Sequence, residues 1–92
     1  MLFVIIGHDS DKAQELRPIH REEHLAGLRK LLDAGKLVIA GPFTDKTGSL
    51  VIIDAADQAE ADRIAAGDPY VREGIFASYE VKPYLQVYPE TK

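Results

Sequence analysis

Three short runs of β-prone residues constrain this chain more than any other feature: "LFVII" (residues 2–6), "KLVIAGPF" (36–43) and "LVIIDA" (50–55). Gly7 stops the first and Gly41-Pro42 end the second, since proline cannot donate to a central ladder. Each run is apolar on both alternations, the pattern of a strand covered on both faces.

Between the first two runs, Leu25, Leu28 and Leu32 recur at helical spacing and Gly35 is a natural C-terminal cap, which predicts a helix over about residues 17–34. The preceding "HDSDKAQEL" reads as a polar loop. After the third run, "DQAE" places an N-cap acid, Asp57, three residues before Glu60, so a second helix is expected over about residues 58–66. In "IFASYEVKPYLQVY", Ile75, Ala77, Tyr79 and Val81 alternate with polar residues and form a fourth strand, leaving room for a fifth short piece after Pro83.

The order β-α-β-β-α-β, with no linker, low-complexity segment or repeat, predicts one domain over residues 1–92: an α+β, ferredoxin-like sandwich with both helices on one face of an antiparallel sheet. The other sheet face is then bare, although its strands are apolar there. A second copy of the chain is the economical cover, so a homodimer through the open face is expected; an apolar ligand or a different protein are the competing occupants.

Eleven Lys and Arg against fifteen Asp and Glu, with no basic run, argue against nucleic acid as a partner. The absence of cysteine removes disulfides and thiolate chemistry and suits a reducing cytoplasm, the expected compartment. "MLFVIIGHD" lacks a basic start and a cleavage site and is too brief for a membrane span, so no membrane partner is expected.

Two right-handed crossovers bring the start of the first helix, the end of the second helix, the end of strand two and the start of strand four to one end of the sandwich. His24, Gly41-Pro42, Ser49 and Asp68 then converge there. Arg17, Arg21, His24 and Leu28 share one helical ridge. An imidazole beside a carboxylate is suited to general acid–base chemistry near neutral pH.

The residues alone leave alternatives open. Asp68 follows Gly67 and precedes Pro69, the pattern of a helix cap, and His24 also fits as a part-buried structural histidine. Arg21 is either an anchor for an anionic substrate group or the solvated partner of a nearby acid. His20 and His24 are one helical turn apart and His8 lies at the same end of the fold, but with no HExxH pattern and no cysteine a metal is not expected. No phosphate-loop spacing is present, and no cofactor is expected.

"MLFVII", "RxxHL" (21–25), "GKLVIAGP", "DPY" (68–70) and "VKPY" (81–84), in this order across almost the whole chain, resemble the YciI-like, or YCII-related, family. The resemblance implies a ferredoxin-like fold, dimers of the α/β-barrel kind, and an active site pairing His24 with Asp68. Ser49 and Tyr70 become candidate pocket residues beside Arg21, Gly41 and Pro42.

The family includes a dehydrochlorinase acting on a chlorinated hydroxyhydroquinone and is similar in fold to muconolactone isomerases. The implied function is a lyase- or isomerase-type enzyme in which a His-Asp dyad moves a proton on a small organic substrate. A non-catalytic metabolite-binding domain or a dimeric interaction module is the alternative. Where many members carry a proline after the helix arginine, this chain has Glu22 and Glu23, whose charge is expected to sit favourably near the helix start and to oppose an anionic group at Arg21.

Overall fold

β1 (Leu2–Asp9) is the strand around which the sheet is built. In the computed structural model, which describes residues 1–90, it pairs antiparallel with β3 (Gly48–Asp54) on one side and with β4 (Phe76–Tyr84) on the other. β2 (Leu37–Pro42) pairs with the outer side of β3, giving the order β2-β3-β1-β4. With α1 (Ala13–Asp33) and α2 (Gln58–Gly67) in the two crossovers, this is the ferredoxin-like α+β sandwich. A single turn, α3 (Pro69–Arg72), leads from α2 toward β4.

Alternation along the strands assigns the faces. Phe3, Ile5, Val51 and Ile53 point under the helices and are buried, packing with Ala61 and Ala65 of α2 and with Leu28 and Leu31 of α1. Leu2, Val4, Ile6, Leu50 and Ile52 face the other way and stay partly exposed, and Ile39 beside them is 57% exposed. Both edge strands carry a proline, Pro42 in β2 and Pro83 in β4, where a missing N–H can face outward without breaking a central ladder.

α1 starts at Ala13, about one turn earlier than the apolar spacing predicts. The segment "HDSDKAQEL" is therefore not a loop: its first residues end β1 and its last enter the helix. Ala13 and Leu16 supply the reason, because they pack on Tyr70, Ile75 and Phe76, a second apolar cluster assembled from distant sequence. Pro18 lies inside the helix and cannot donate to Gln14, which α1 tolerates.

The early start moves Glu22 and Glu23 into the middle of α1, beyond the reach of the helix dipole, so the favourable placement expected for them does not hold. Glu23 instead accepts from Arg72 Nη2 at 2.5 Å, tying α1 to α3. No fifth strand follows Pro83 among the described residues; β4 itself runs through Pro83 to Tyr84. Thr91 and Lys92, the end of the predicted domain, lie outside the described residues.

Asp57 caps α2 by accepting the Glu60 N–H at 2.8 Å, as expected of "DQAE", while Glu60 reaches one residue past the cap and accepts the Ala56 N–H at 3.2 Å. That bond, with Lys36 nearby, holds the Glu60 carboxyl below its usual range. No helix among the described residues is long and apolar enough to cross a membrane.

Candidate active site

His24 sits in the middle of α1, on the ridge it shares with Arg17, Arg21 and Leu28, and Asp68 sits at the junction of α2 and α3. His24 Nδ1 lies 2.8 Å from Asp68 Oδ1, with the two side chains 11% and 20% exposed. A carboxylate oxygen only accepts, so Nδ1 carries a proton, and in the neutral ring Nε2 is the nitrogen that keeps its lone pair.

The same Asp68 Oδ1 accepts the Tyr70 N–H at 2.9 Å and so caps α3. Helix capping and contact with the histidine are thus combined in one atom. Pro69 occupies the first position of the turn, where it has no N–H to leave unsatisfied.

Tyr70 stacks on His24, with ring centroids 3.8 Å apart and planes 5° from parallel. Its other contacts lock it in place: Phe76 meets it edge-on at 5.8 Å and the Arg17 guanidinium lies 5.2 Å from its centroid. Burial pushes the Tyr70 phenol above its ordinary pKa, against the opposing pull of the Arg17 and Arg21 guanidiniums.

Arg17 is itself anchored. Its Nη2 donates to Asp9 Oδ1 at 2.6 Å and to Ser49 Oγ at 3.3 Å. The Asp9 side chain is buried at the bulge where β1 shifts register against β4, and its second oxygen has no partner among the described residues. Two glycines make this corner possible. A Cβ on Gly7 would fall 2.4 Å from the Phe76 ring, and one on Gly48 would fall 1.9 Å from the Gly7 carbonyl oxygen.

These residues enclose space on two sides of the imidazole. One cavity, about 260 Å³, is lined by Arg17, Arg21, His24, Gly41, Pro42, Ser49 and Tyr70 among others. The other, about 290 Å³, opens between α1 and α2 and is walled mostly by aliphatic carbon. His24, Leu28, Ser49 and Val51 line both.

The structure therefore brings His24, Asp68, Ser49, Tyr70, Arg21, Gly41 and Pro42 to one place. It does not gather the histidines: His8 lies on the opposite sheet face, 3.0 Å from Glu80 Oε2. Among the described residues no cluster of three or more His, Asp or Glu is assembled for a metal. Asp9 and Phe76 were not legible as site residues, since one sits in a polar stretch and the other reads as strand core. Arg17 shares the His24 ridge, but nothing in its spacing reveals the Asp9 partner.

The sequence profile of the YCII-related domain matches residues 1–85. Protein YciI of Escherichia coli O6:H1 is 36% identical over 98 residues, spanning 96% of this chain and 100% of that protein. An uncharacterized protein of Haemophilus influenzae is 37% identical over the same shares. Among solved structures, 5-chloro-2-hydroxyhydroquinone dehydrochlorinase (TftG) of Burkholderia phenoliruptrix, in complex with 2,5-dihydroxybenzoquinone, superposes with a TM-score of 0.85 at 27% identity, covering 99% of this chain and 100% of that one.

Proposed function

The chain belongs to the YCII-related domain family, and from that membership together with the His24–Asp68 contact we propose that it is a small-molecule enzyme of the lyase or isomerase type. The observation that carries the reading is the 2.8 Å approach of His24 Nδ1 to Asp68 Oδ1 beside a cavity. Asp68 holds the imidazole in one tautomer and stabilises the imidazolium that forms when Nε2 takes a proton.

Nε2 withdraws the proton from a hydroxyl or an activated carbon of the substrate. In a lyase reaction the released electron pair expels a leaving group; in an isomerase reaction the imidazolium returns the proton at a neighbouring atom. Arg17 and Arg21 supply positive charge for an oxygen that gains electron density, while Ser49, Tyr70, Gly41 and Pro42 shape the wall around it. A small, cyclic, hydroxylated substrate suits this cavity, and the dehydrochlorinase bound to 2,5-dihydroxybenzoquinone supports that class.

Chlorinated and unchlorinated hydroxyquinols and hydroxyquinones are the first compounds to incubate with the protein, with product formation followed by mass spectrometry. His24→Ala is expected to lower turnover by about 10²–10⁴-fold, the usual worth of positioned proton transfer. Activity within a few-fold of wild type would remove His24 from this role. Compounds that bind but are recovered unchanged would favour a metabolite-binding module instead.

The partly exposed aliphatic face of Leu2, Val4, Ile6 and Ile52 supports a homodimer in which a second copy covers the sheet. Light scattering at micromolar concentration is expected to give twice the chain mass, and Ile39→Glu, at the exposed margin of that face, to weaken the dimer. A monomeric wild-type mass would overturn it.

A further inference from the structure

The two cavities beside His24 differ in chemistry. The one bounded by β2 carries two guanidiniums, a phenol and a serine hydroxyl. The one between α1 and α2 is lined by Ile5, Leu28, Leu31, Val51, Ile64 and Val71, and also by His24, Asp68 and Ser49. Lys30 and Arg63, both exposed, complete its lining.

That second chamber is an apolar cleft open to solvent on one side, and about 150 Å³ of apolar cavity is enough to hold benzene. Its 290 Å³ is therefore room for a ring with a substituent.

Gly27 sharpens the point. It lies within α1, where glycine costs about 1 kcal/mol relative to alanine. No positive φ demands it, and an added Cβ would meet no atom within 4 Å. Gly67, across the chamber on α2, is likewise unhindered. Both glycines are exposed and line the chamber, so a side chain placed at either would find open space there.

We propose that the chamber between α1 and α2 is a second subsite, receiving an uncharged, apolar portion of a substrate whose anionic oxygen lies beside Arg17. Such a ligand passes His24, placing the bond to be changed at Nε2 between a charge-stabilising end and an apolar end. This rests on the reading of His24 and its surroundings as a small-molecule site, and adds that the substrate is amphipathic.

The test uses benzoate, 4-ethylbenzoate and 4-butylbenzoate as probes, with binding followed by NMR of the methyl groups of Ile64 and Val71 and the ring of His24. Affinity is expected to rise about threefold to fourfold per added methylene, the usual worth of burying one. The Ile64 and Val71 methyls should shift with the longer probes, and the His24 ring with all three. Gly27→Leu, a good helix former that fills the chamber, should abolish the gain with chain length, and Gly27→Ala should reduce it.

If all three probes shift His24 but chain length changes neither affinity nor the Ile64 and Val71 signals, the subsite is wrong and the His24 site survives. If Ile64 and Val71 respond while His24 never does, the chamber binds apolar carbon unconnected with the dyad, which overturns both readings. The absence of any response overturns the proposal as well.

Discussion

Tyr70 lies flat on His24, 3.8 Å between ring centroids, and is connected to the histidine's partner as well, because its backbone N–H donates to the Asp68 oxygen that faces Nδ1. One residue thus supports the imidazole through its ring and the carboxylate through its main chain. The orientation of His24 is set by α3, a four-residue turn, as much as by the helix that carries it.

The buried phenol makes alkaline stability a readout of this arrangement. Tyr70 is 4% exposed and its pKa is raised by burial. Below about pH 10, the unfolded value, the phenol is protonated in both states and stability is unaffected. Above it the unfolded chain ionises first, so stability falls as pH rises until the folded pKa is passed. Denaturant midpoints measured from pH 8 upward should fall more steeply for wild type than for Tyr70→Phe. Parallel curves would show that the phenol is not sequestered as described.

Asp68 has two roles, and two substitutions separate them. Asp68→Ala removes the cap and the histidine partner together, and losing the cap alone costs about 1 kcal/mol. Asp68→Asn keeps an oxygen acceptor, so it should unfold close to wild type. It removes the charge that stabilises the imidazolium, and in the proposed mechanism turnover should fall steeply while the fold persists. Nitrogen NMR of wild type should find the proton of neutral His24 on Nδ1. A predominant Nε2–H tautomer would contradict the contact.

Beneath the aromatic stack, Arg17 and Asp9 form an ion pair whose side chains are 18% and 7% exposed. Removing one member of a buried pair is far more costly than removing both, because the remaining charge stays desolvated. Arg17→Met is expected to destabilise by about 3–5 kcal/mol, and Arg17→Met combined with Asp9→Leu to recover much of that loss. Urea unfolding of the two single variants and the double variant closes the cycle. Strict additivity would mean the pair is not coupled.

Several of these relationships were legible in the residues and others were not, for physical reasons. The strands are punctuated by glycine and proline, and "DQAE" carries its cap in four consecutive residues, so element order and topology could be derived. Topology brought His24 and Asp68 to one end of the sandwich without pairing them, and the pairing was implied by the family resemblance. The start of α1 could not be derived, because Ala13 and Leu16 are apolar for the sake of Tyr70, Ile75 and Phe76, which arrive from the far end of the chain. Nor could the Arg17–Asp9 pair: two charges in a polar stretch give no periodic signal, and burial comes from the register shift in β1. The stacking of Tyr70 on His24 depends on the exact direction of a four-residue turn, which "DPY" permits without specifying.

The glycines at the sheet crossing give the last prediction. A Cβ at Gly48 would collide with backbone, the Gly7 carbonyl oxygen at 1.9 Å, whereas one at Gly7 would collide with a side chain, the Phe76 ring at 2.4 Å. Backbone inside a paired ladder has nowhere to go, so Gly48→Ala should destabilise by more than the roughly 1–3 kcal/mol usual for overpacking, through separation of β1 from β3. Gly7→Ala should be milder, since Phe76 can rotate, but the rotation removes the edge that steadies Tyr70. Its signature is then local. The aromatic signals of Tyr70 and His24 should move in Gly7→Ala while the amide signals of β2 stay in place, and unchanged Tyr70 and His24 signals would break the proposed chain of contacts from Gly7 to the dyad.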